Sequence, residues 1–343
     1  MEEKKLKIGF VENLYGTPKG HSYVTKNMID ALIPEHEVHM FRIGTNPISR
    51  EFTTPSSIQS HLGNEIPEYA FREWLADIKP DYCVFNEYAQ WWPTTYDKLE
   101  VCKELGIKTV GYLVQEKFDK SKIEHYKLYN AIVCPTGWQT KQMRIAGLYN
   151  THHVPWGVDL EEIGKLAQPT KNDEIVRFYH CAGSGGVDNR KNTEKVVEAY
   201  KMIQDETTDL MITHIGNKVF GQNEIFAFMK YADVLVNVSK WETIGLNNME
   251  ANACGIPVIT TDMPPVNEFM KDNVNGLLVT ATETTSKNVN CPAYDVDVEE
   301  LSKKMELCKN KVVLQTLKNN SKKFAKVNFD WKTNCEAFKR LFK

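Results

Sequence analysis

Residues 233–279 read DVLVNVSKWETIGLNNMEANACGIPVITTDMPPVNEFMKDNVNGLLV, and this stretch decides the fold. Residues 234–238 form a short β-branched run, the pattern of a strand buried on both faces. The run ends in Ser239-Lys240-Trp241-Glu242. A helix is expected to begin near 243–245, to carry Glu250 and to stop at Gly255, since glycine readily takes the left-handed backbone that closes helices. Pro257 then opens a second strand over 258–260, and a third follows at 277–279. Strand, helix and strand in this order build a parallel sheet with helices on its faces.

The same alternation runs outward from this block. Strands are expected at 6–11, 37–41, 82–85, 109–114 and 131–134, with helices at 23–32, 67–78 and 139–146. Beyond residue 170, strands are expected at 176–181 and 210–215, with helices at 193–203, 224–231 and 266–271. Two sets of alternation imply two domains, and 343 residues exceed what one ordinary core organises. Val154-Pro155-Trp156-Gly157-Val158-Asp159 places Pro and Gly between a strand and a polar segment, so the boundary is expected there. The expected domains are 1–155 and 156–328, followed by a basic terminal helix over 329–343.

Composition narrows the classes. Hydrophobic residues make up 42% and charged residues 25%, the balance of a globular chain. Lys+Arg 42 against Asp+Glu 45 leaves a net charge of -3, which gives no general attraction to nucleic acid or anionic membrane. No run of eighteen apolar residues predicts a membrane span. The first sixteen residues are too mixed to read as a signal peptide. The eight cysteines form no CxxC pair and several lie in apolar runs, which reads as reduced core thiols in a cytoplasmic protein.

In open parallel sheets, ligands bind beyond the carboxyl ends of the strands. With two such domains, the expected site is the cleft where both sets of carboxyl ends face each other. The helix after Glu242 offers unpaired N–H groups and a positive dipole end, a ready seat for a diphosphate. Thr243, Ile244, Gly245 and Leu246 supply that seat, and Gly245 lets a ligand approach the backbone. Eight residues of helix rise about 12 Å. That spacing suits a nucleotide sugar, with Glu242 at the sugar and Glu250 at the ribose hydroxyls. The alternative is a helix-capping Glu242 and a surface Glu250.

Glu242, seven residues, Glu250 and then Ala251-Asn252-Ala253-Cys254-Gly255-Ile256-Pro257-Val258-Ile259 resemble the E-x7-E signature of retaining GT-B glycosyltransferases of the family-4 type. Asn275-Gly276-Leu277-Leu278-Val279 is similar to that family's NG-x-L-V strand, and the segment 154–159 to its P-N-G-V-D linker, with Trp156 in place of Asn. The resemblance implies the GT-B fold: two Rossmann-like parallel-sheet domains across a cleft, the last helix crossing back to the first. It implies transfer of a sugar from a UDP- or GDP-linked donor to a hydroxyl on a glycan, a lipid-linked or a small-molecule acceptor. Neither a metal nor another cofactor is expected.

The resemblance also assigns weaker positions. Arg190 and Lys191 resemble the family's cationic pair for the donor diphosphate, although the usual Arg after the strand falls in Gly183-Ser184-Gly185, where there is none. Gly16, in Gly16-Thr17-Pro18-Lys19-Gly20, resembles the family's N-terminal glycine-rich loop, which the resemblance places near the donor diphosphate and the acceptor, so Gly16 is a donor-binding candidate. Lys218, in Ile215-Gly216-Asn217-Lys218, resembles the remnant of a loop that reads the base. Gln115 and Glu116 stand where relatives carry His or Asp near the reacting sugar, so Glu116 is a candidate base and Gln115 an acceptor-side group. Trp91 and Trp92 follow a strand and are candidates to stack on a sugar or base. His152 and His153 lack a third residue at metal spacing. Asp295-Val296-Asp297 resembles a metal-binding DxD but reads better as a helix cap.

Three other functions share these features. One is a protein that binds a nucleotide sugar without turnover, which the missing Arg motivates. Another is a glycosyltransferase acting on a modified base in DNA, for which 309–326 supplies basic charge. The third is an epimerase that needs no acceptor. Peripheral membrane contact is compatible with the sequence.

Overall fold

The computed structural model describes residues 5–13, 15–17, 20–63, 65–86, 95–183, 189–214 and 220–343. The chain divides into two compact units, Met1–Pro155 with Lys332–Lys343, and Trp156–Trp331.

The first unit is built on seven parallel strands: β1 (Lys7–Asn13), β2 (Glu37–Ile43), β3 (Ser57–His61), β4 (Tyr82–Asn86), β5 (Lys108–Tyr112), β6 (Ala131–Cys134) and β7 (Thr151–His153). They lie in the order β3-β2-β1-β4-β5-β6-β7. The middles of the central strands are mostly apolar because helices cover both faces. Among these helices are α1 (Gly20–Leu32), α2 (Glu68–Ile78), α3 (Thr95–Glu104), α4 (Ile123–Tyr126) and α5 (Gly137–Ile145). Trp74 of α2 is buried among Phe41 and Phe71, with ring centroids 5.4 and 5.9 Å away.

The second unit holds five parallel strands, β8 (Val176–Gly183), β9 (Thr208–His214), β10 (Val234–Asn237), β11 (Val258–Thr261) and β12 (Gly276–Val279), in the order β12-β11-β10-β8-β9. A separate antiparallel pair, β13 (Ala281–Thr284) and β14 (Ala293–Val296), follows. The helices are α6 (Leu160–Lys165), α7 (Thr193–Ile203), α8 (Gln222–Tyr231), α9 (Leu246–Ala253), α10 (Val266–Phe269), α11 (Val298–Leu307) and α12 (Lys311–Asn328). Leu301 and Met305 of α11 and Leu314 and Leu317 of α12 close the core over Phe178, Val236 and Ile259.

The last helix, α13 (Trp331–Lys339), carries the chain back to the first unit. There Phe342 packs edge-on against Tyr82 at 5.2 Å, and the Tyr82 hydroxyl donates to the carbonyl of Lys343 at 2.7 Å. Lys339 pairs with Glu35. No helix among the described residues is long and apolar enough to cross a membrane.

Every strand expected from the sequence is present. The strands not expected are β3, β7, β13 and β14. Asp297 caps α11, its carboxylate accepting from the Glu300 N–H at 2.7 Å, as the reading of 295–297 anticipated.

Candidate active site

β10 is buried along its whole length and delivers the loop 238–245 to the head of α9. Gly245 is the N-cap, with φ +66 and no capping side chain. A glycine is favoured there because a side chain at this φ is strained. The first-turn N–H groups of α9 therefore keep their positive end uncovered by an acidic residue of that turn. Thr243 and Ile244 are buried and Leu246 half-buried. The helix starts at Leu246, later than the sequence suggested. The first part of the Glu242–Glu250 interval is loop, so a rise of eight helical residues does not apply to it.

Glu242 does not cap the helix. It turns to two cations from the loop before α7. Lys191 Nζ donates to Oε1 at 2.6 Å and Arg190 Nη1 to Oε2 at 3.3 Å. The side chains of Glu242 and Lys191 are each only 11% exposed, so the pair is shielded from screening by water. Burial pushes the Glu242 carboxyl up, but Arg190 and then Lys191 more than offset it and bring it down to about 2. Burial lowers the Lys191 ammonium, and Glu242 opposes that shift. Two cations against one carboxylate leave the cluster with a positive charge.

Buried polar groups hold the cluster in place. Lys191 also donates to Ser239 Oγ at 3.1 Å and Asn237 Oδ1 at 3.4 Å. Asn237 Nδ2 donates to Asn248 Oδ1 at 2.7 Å, tying β10 to α9. Thr260 and Thr261 of β11 donate to the carbonyls of Asn237 and Ser239 at 2.8 and 2.9 Å. Asn192 Nδ2 reaches the Val238 carbonyl at 2.9 Å, and the Lys240 N–H reaches the Arg190 carbonyl at 2.8 Å. The two loops thus form one hydrogen-bonded body. His180, fully buried on β8, has Nδ1 2.8 Å from the Val236 carbonyl, so Nδ1 carries the proton. Its Nε2 lies 2.9 Å from the Thr193 hydroxyl at the start of α7.

Glu250 lies one turn into α9 and is buried, not a surface charge. Its Oε1 accepts from Gln222 Nε2 of α8 at 3.0 Å. Burial raises its carboxyl to about 7, with the Gln222 bond pulling the other way. The two glutamates of the motif are thus pushed in opposite directions, the pattern that separates roles in catalytic sites.

In the first unit, Gly16 follows β1 at φ +91, and its carbonyl accepts from Ser49 N–H at 3.1 Å. Near it, Thr25 bridges buried Glu12 and Asn86, and His21 Nε2 lies 3.8 Å from Glu12. Gln115 and Glu116 form a 3-10 turn after β5, both half-buried. Trp91, Trp92 and Lys218 lie outside the described residues, as do most of 183–186 and all of 215–218. His152 and His153 are exposed at the edge strand β7, and Trp156 packs against Trp331 with the rings tilted and their centroids 4.4 Å apart. Sequence reasoning brought Glu242, Arg190 and Lys191 to one site but not into contact. It missed Asn237 and Ser239, whose polarity inside or beside an apolar strand was the available signal, and Gln222 at the start of α8.

Known proteins share this architecture. Residues 218–290 match the family described as Glycosyl transferases group 1. An uncharacterized glycosyltransferase of Methanocaldococcus jannaschii is 31% identical over 146 residues, 42% of this chain and 37% of that protein. The GDP-mannose-dependent alpha-(1-6)-phosphatidylinositol dimannoside mannosyltransferase of Mycobacterium tuberculosis is 23% identical over 168 residues, 41% of this chain and 43% of that one. These matches span less than half the length of either relative. Anabaena HepE, solved in complex with UDP and glucose, superposes with a TM-score of 0.73 at 13% identity, covering 98% of this chain and 99% of that chain. The chain thus has the GT-B fold of glycosyltransferases, and its residues 218–290 match the Glycosyl transferases group 1 family.

Proposed function

We propose that this chain is a retaining glycosyltransferase that moves a sugar from a nucleoside-diphosphate sugar to an acceptor hydroxyl. The observation that carries the reading is the largely buried Arg190–Lys191–Glu242 cluster at the uncapped head of α9. A leaving nucleoside diphosphate gains charge as the glycosidic bond breaks. Cations and helix amides that are already in place stabilise that charge without reorganising. In this reading Arg190, Lys191 and the amides of 243–246 hold the diphosphate and need no metal. Glu242 is held ionised between the cations and accepts from the sugar hydroxyls. Glu250 accepts from the ribose. The acceptor hydroxyl attacks on the face the diphosphate leaves, and a donor phosphate oxygen takes its proton. Glu116 is the candidate base and Gln115 an acceptor-side group, Gly16 belongs to the donor's binding residues, and the protein works in the cytoplasm.

HepE was solved with UDP, and the mycobacterial relative is named for GDP-mannose, so UDP- and GDP-sugars are the donors to test. A donor that binds the folded state raises the melting temperature. At a hundred times its Kd the gain is about 2.7 kcal/mol. Released nucleoside diphosphate then reports turnover. Glu242→Ala is expected to lower turnover at least ~100-fold. Binding of UDP or GDP should be retained, because the cations are freed from the carboxylate. If neither UDP nor GDP raises the melting temperature, the reading fails. Binding with no turnover on any acceptor would leave a nucleotide-sugar-binding protein instead.

A further inference from the structure

An open cavity of about 430 Å³ lies in the first unit between α5 and the edge strand β7. It is lined by Gly137, Thr140, Lys141, Arg144, Ile145 and His153. Three of the six carry a cationic or protonatable nitrogen, and none is Asp or Glu. Lys141 and Arg144 stand three residues apart on α5, on one face. Arg144 is held rigidly. Its Nε donates to Thr151 Oγ1 at 3.2 Å and its Nη2 to the Thr151 carbonyl at 2.9 Å. Its Nη1 makes no hydrogen bond among the described residues. Lys141 makes neither a hydrogen bond nor an ion pair among them.

Several other surface lysines at helices are paired instead. Lys26, Lys127, Lys165 and Lys339 each pair with a carboxylate three or four residues away. The face of α5 is built from two adjacent cations with no such partner, and its guanidinium is oriented by the neighbouring strand. Ile145 lines the same cavity and is 71% exposed. Tyr149, 80% exposed, follows in the connection to β7. An oriented guanidinium with an adjacent ammonium suits a phosphate group, which accepts charge-assisted bonds from both. The exposed isoleucine beside them suits an apolar substituent on that phosphate.

We propose that this cavity binds a phosphate ester bearing an apolar substituent. The phosphate is held by Lys141, Arg144 and His153, and the substituent lies on Ile145.

The test titrates octyl phosphate into the full chain at low salt, with inorganic phosphate and phosphatidylglycerol vesicles as parallel arms. Octyl phosphate should bind saturably and about tenfold more tightly than inorganic phosphate. Lys141→Ala, at an exposed position that the fold does not use, should weaken octyl phosphate about tenfold. Ile145→Ser should abolish its advantage over inorganic phosphate. Vesicle binding that Lys141→Ala abolishes would assign the ester to a lipid headgroup. Octyl phosphate bound with vesicles ignored would assign a free ester. Both results support the site. Equal affinity of wild type and Lys141→Ala for octyl phosphate, or no preference over inorganic phosphate, overturns it. UDP and GDP thermal shifts, measured on the same samples, separate the two readings. Nucleotide bound with octyl phosphate ignored sinks this proposal alone. Octyl phosphate bound with nucleotide ignored sinks the transferase reading alone.

Discussion

Glu242 and Glu250 show how little a carboxylate's chemistry depends on its being a carboxylate. Glu242 sits between Arg190 and Lys191 and stays ionised, whereas burial brings the Glu250 carboxyl up to about 7. A carboxyl with a folded-state pKa above its usual 4.5 favours the folded state fully below that value. The contribution fades as the pH climbs through 7. Its size is on the order of 3 kcal/mol. Glu250→Gln should therefore melt close to wild type at pH 5 and above it at pH 8. Differential scanning calorimetry at the two values checks this, and a constant gap would show that Glu250 titrates as an exposed carboxyl. If Glu250 holds the ribose as an anion, nucleotide affinity should rise from pH 6 to pH 8. Gln222→Leu removes the hydrogen bond that favours the ionised form, so it should move that rise to higher pH, as isothermal titration would read. None of this was legible in the motif. The spacing shows two acids, but Glu242 is held down by Arg190 and Lys191, far away in the chain, and Glu250 is pushed up by burial.

At the level of elements, the parallel strands were legible because both their faces are buried. Residues such as Val234–Val238 must then be apolar apart from the hydrogen-bonded Asn237, and the sequence displays that directly. The strands that went unread are edge or paired strands of polar sequence: Ser57–His61 reads SIQSH and Thr151–His153 reads THH. Backbone pairing holds such strands, and it leaves no side-chain pattern. Similar reasoning explains Asn275, which the family resemblance treated as part of a strand signature. It is fully buried, donates to Asn252 Oδ1 at 2.7 Å and accepts from the Lys271 N–H at 2.7 Å. Asn252 in turn donates to the Asn275 carbonyl at 2.9 Å. The pair ties the last turn of α9 to the entry of β12. Asn275→Ala strands Asn252 Oδ1 and the Lys271 N–H, and should cost about 2–4 kcal/mol. Gly276→Ala should cost at least as much, since its Cβ would fall 2.3 Å from the Val258 carbonyl oxygen in β11. Urea unfolding of both variants measures this.

For the whole molecule, the telling feature is that the first unit is made of two segments far apart in sequence. Phe338 and Phe342 are buried in it, and Phe342 covers Tyr82 on β4. Phe342→Ala should destabilise the first unit by about 3–5 kcal/mol. Limited proteolysis should then cut within 1–155 before it cuts within 156–331. The second unit has a hub of its own in Asp233, which accepts from Lys171 at 2.7 Å and from Lys318 at 2.6 Å. Burial opposes its ionisation, but Lys171 and Lys318 win and hold its carboxyl below the usual range. Its contribution is present above the ordinary aspartate pKa and is lost as the pH falls through the lowered one. The divided make-up of the first unit also sets an order of events during translation. The ribosome releases residues 5–155 long before residues 332–343 exist, so the first sheet waits with its Tyr82 face bare while the second unit, continuous in sequence, closes around its own strands. Of the two units, the one begun first is finished last, and in that interval a chaperone would find its binding surface.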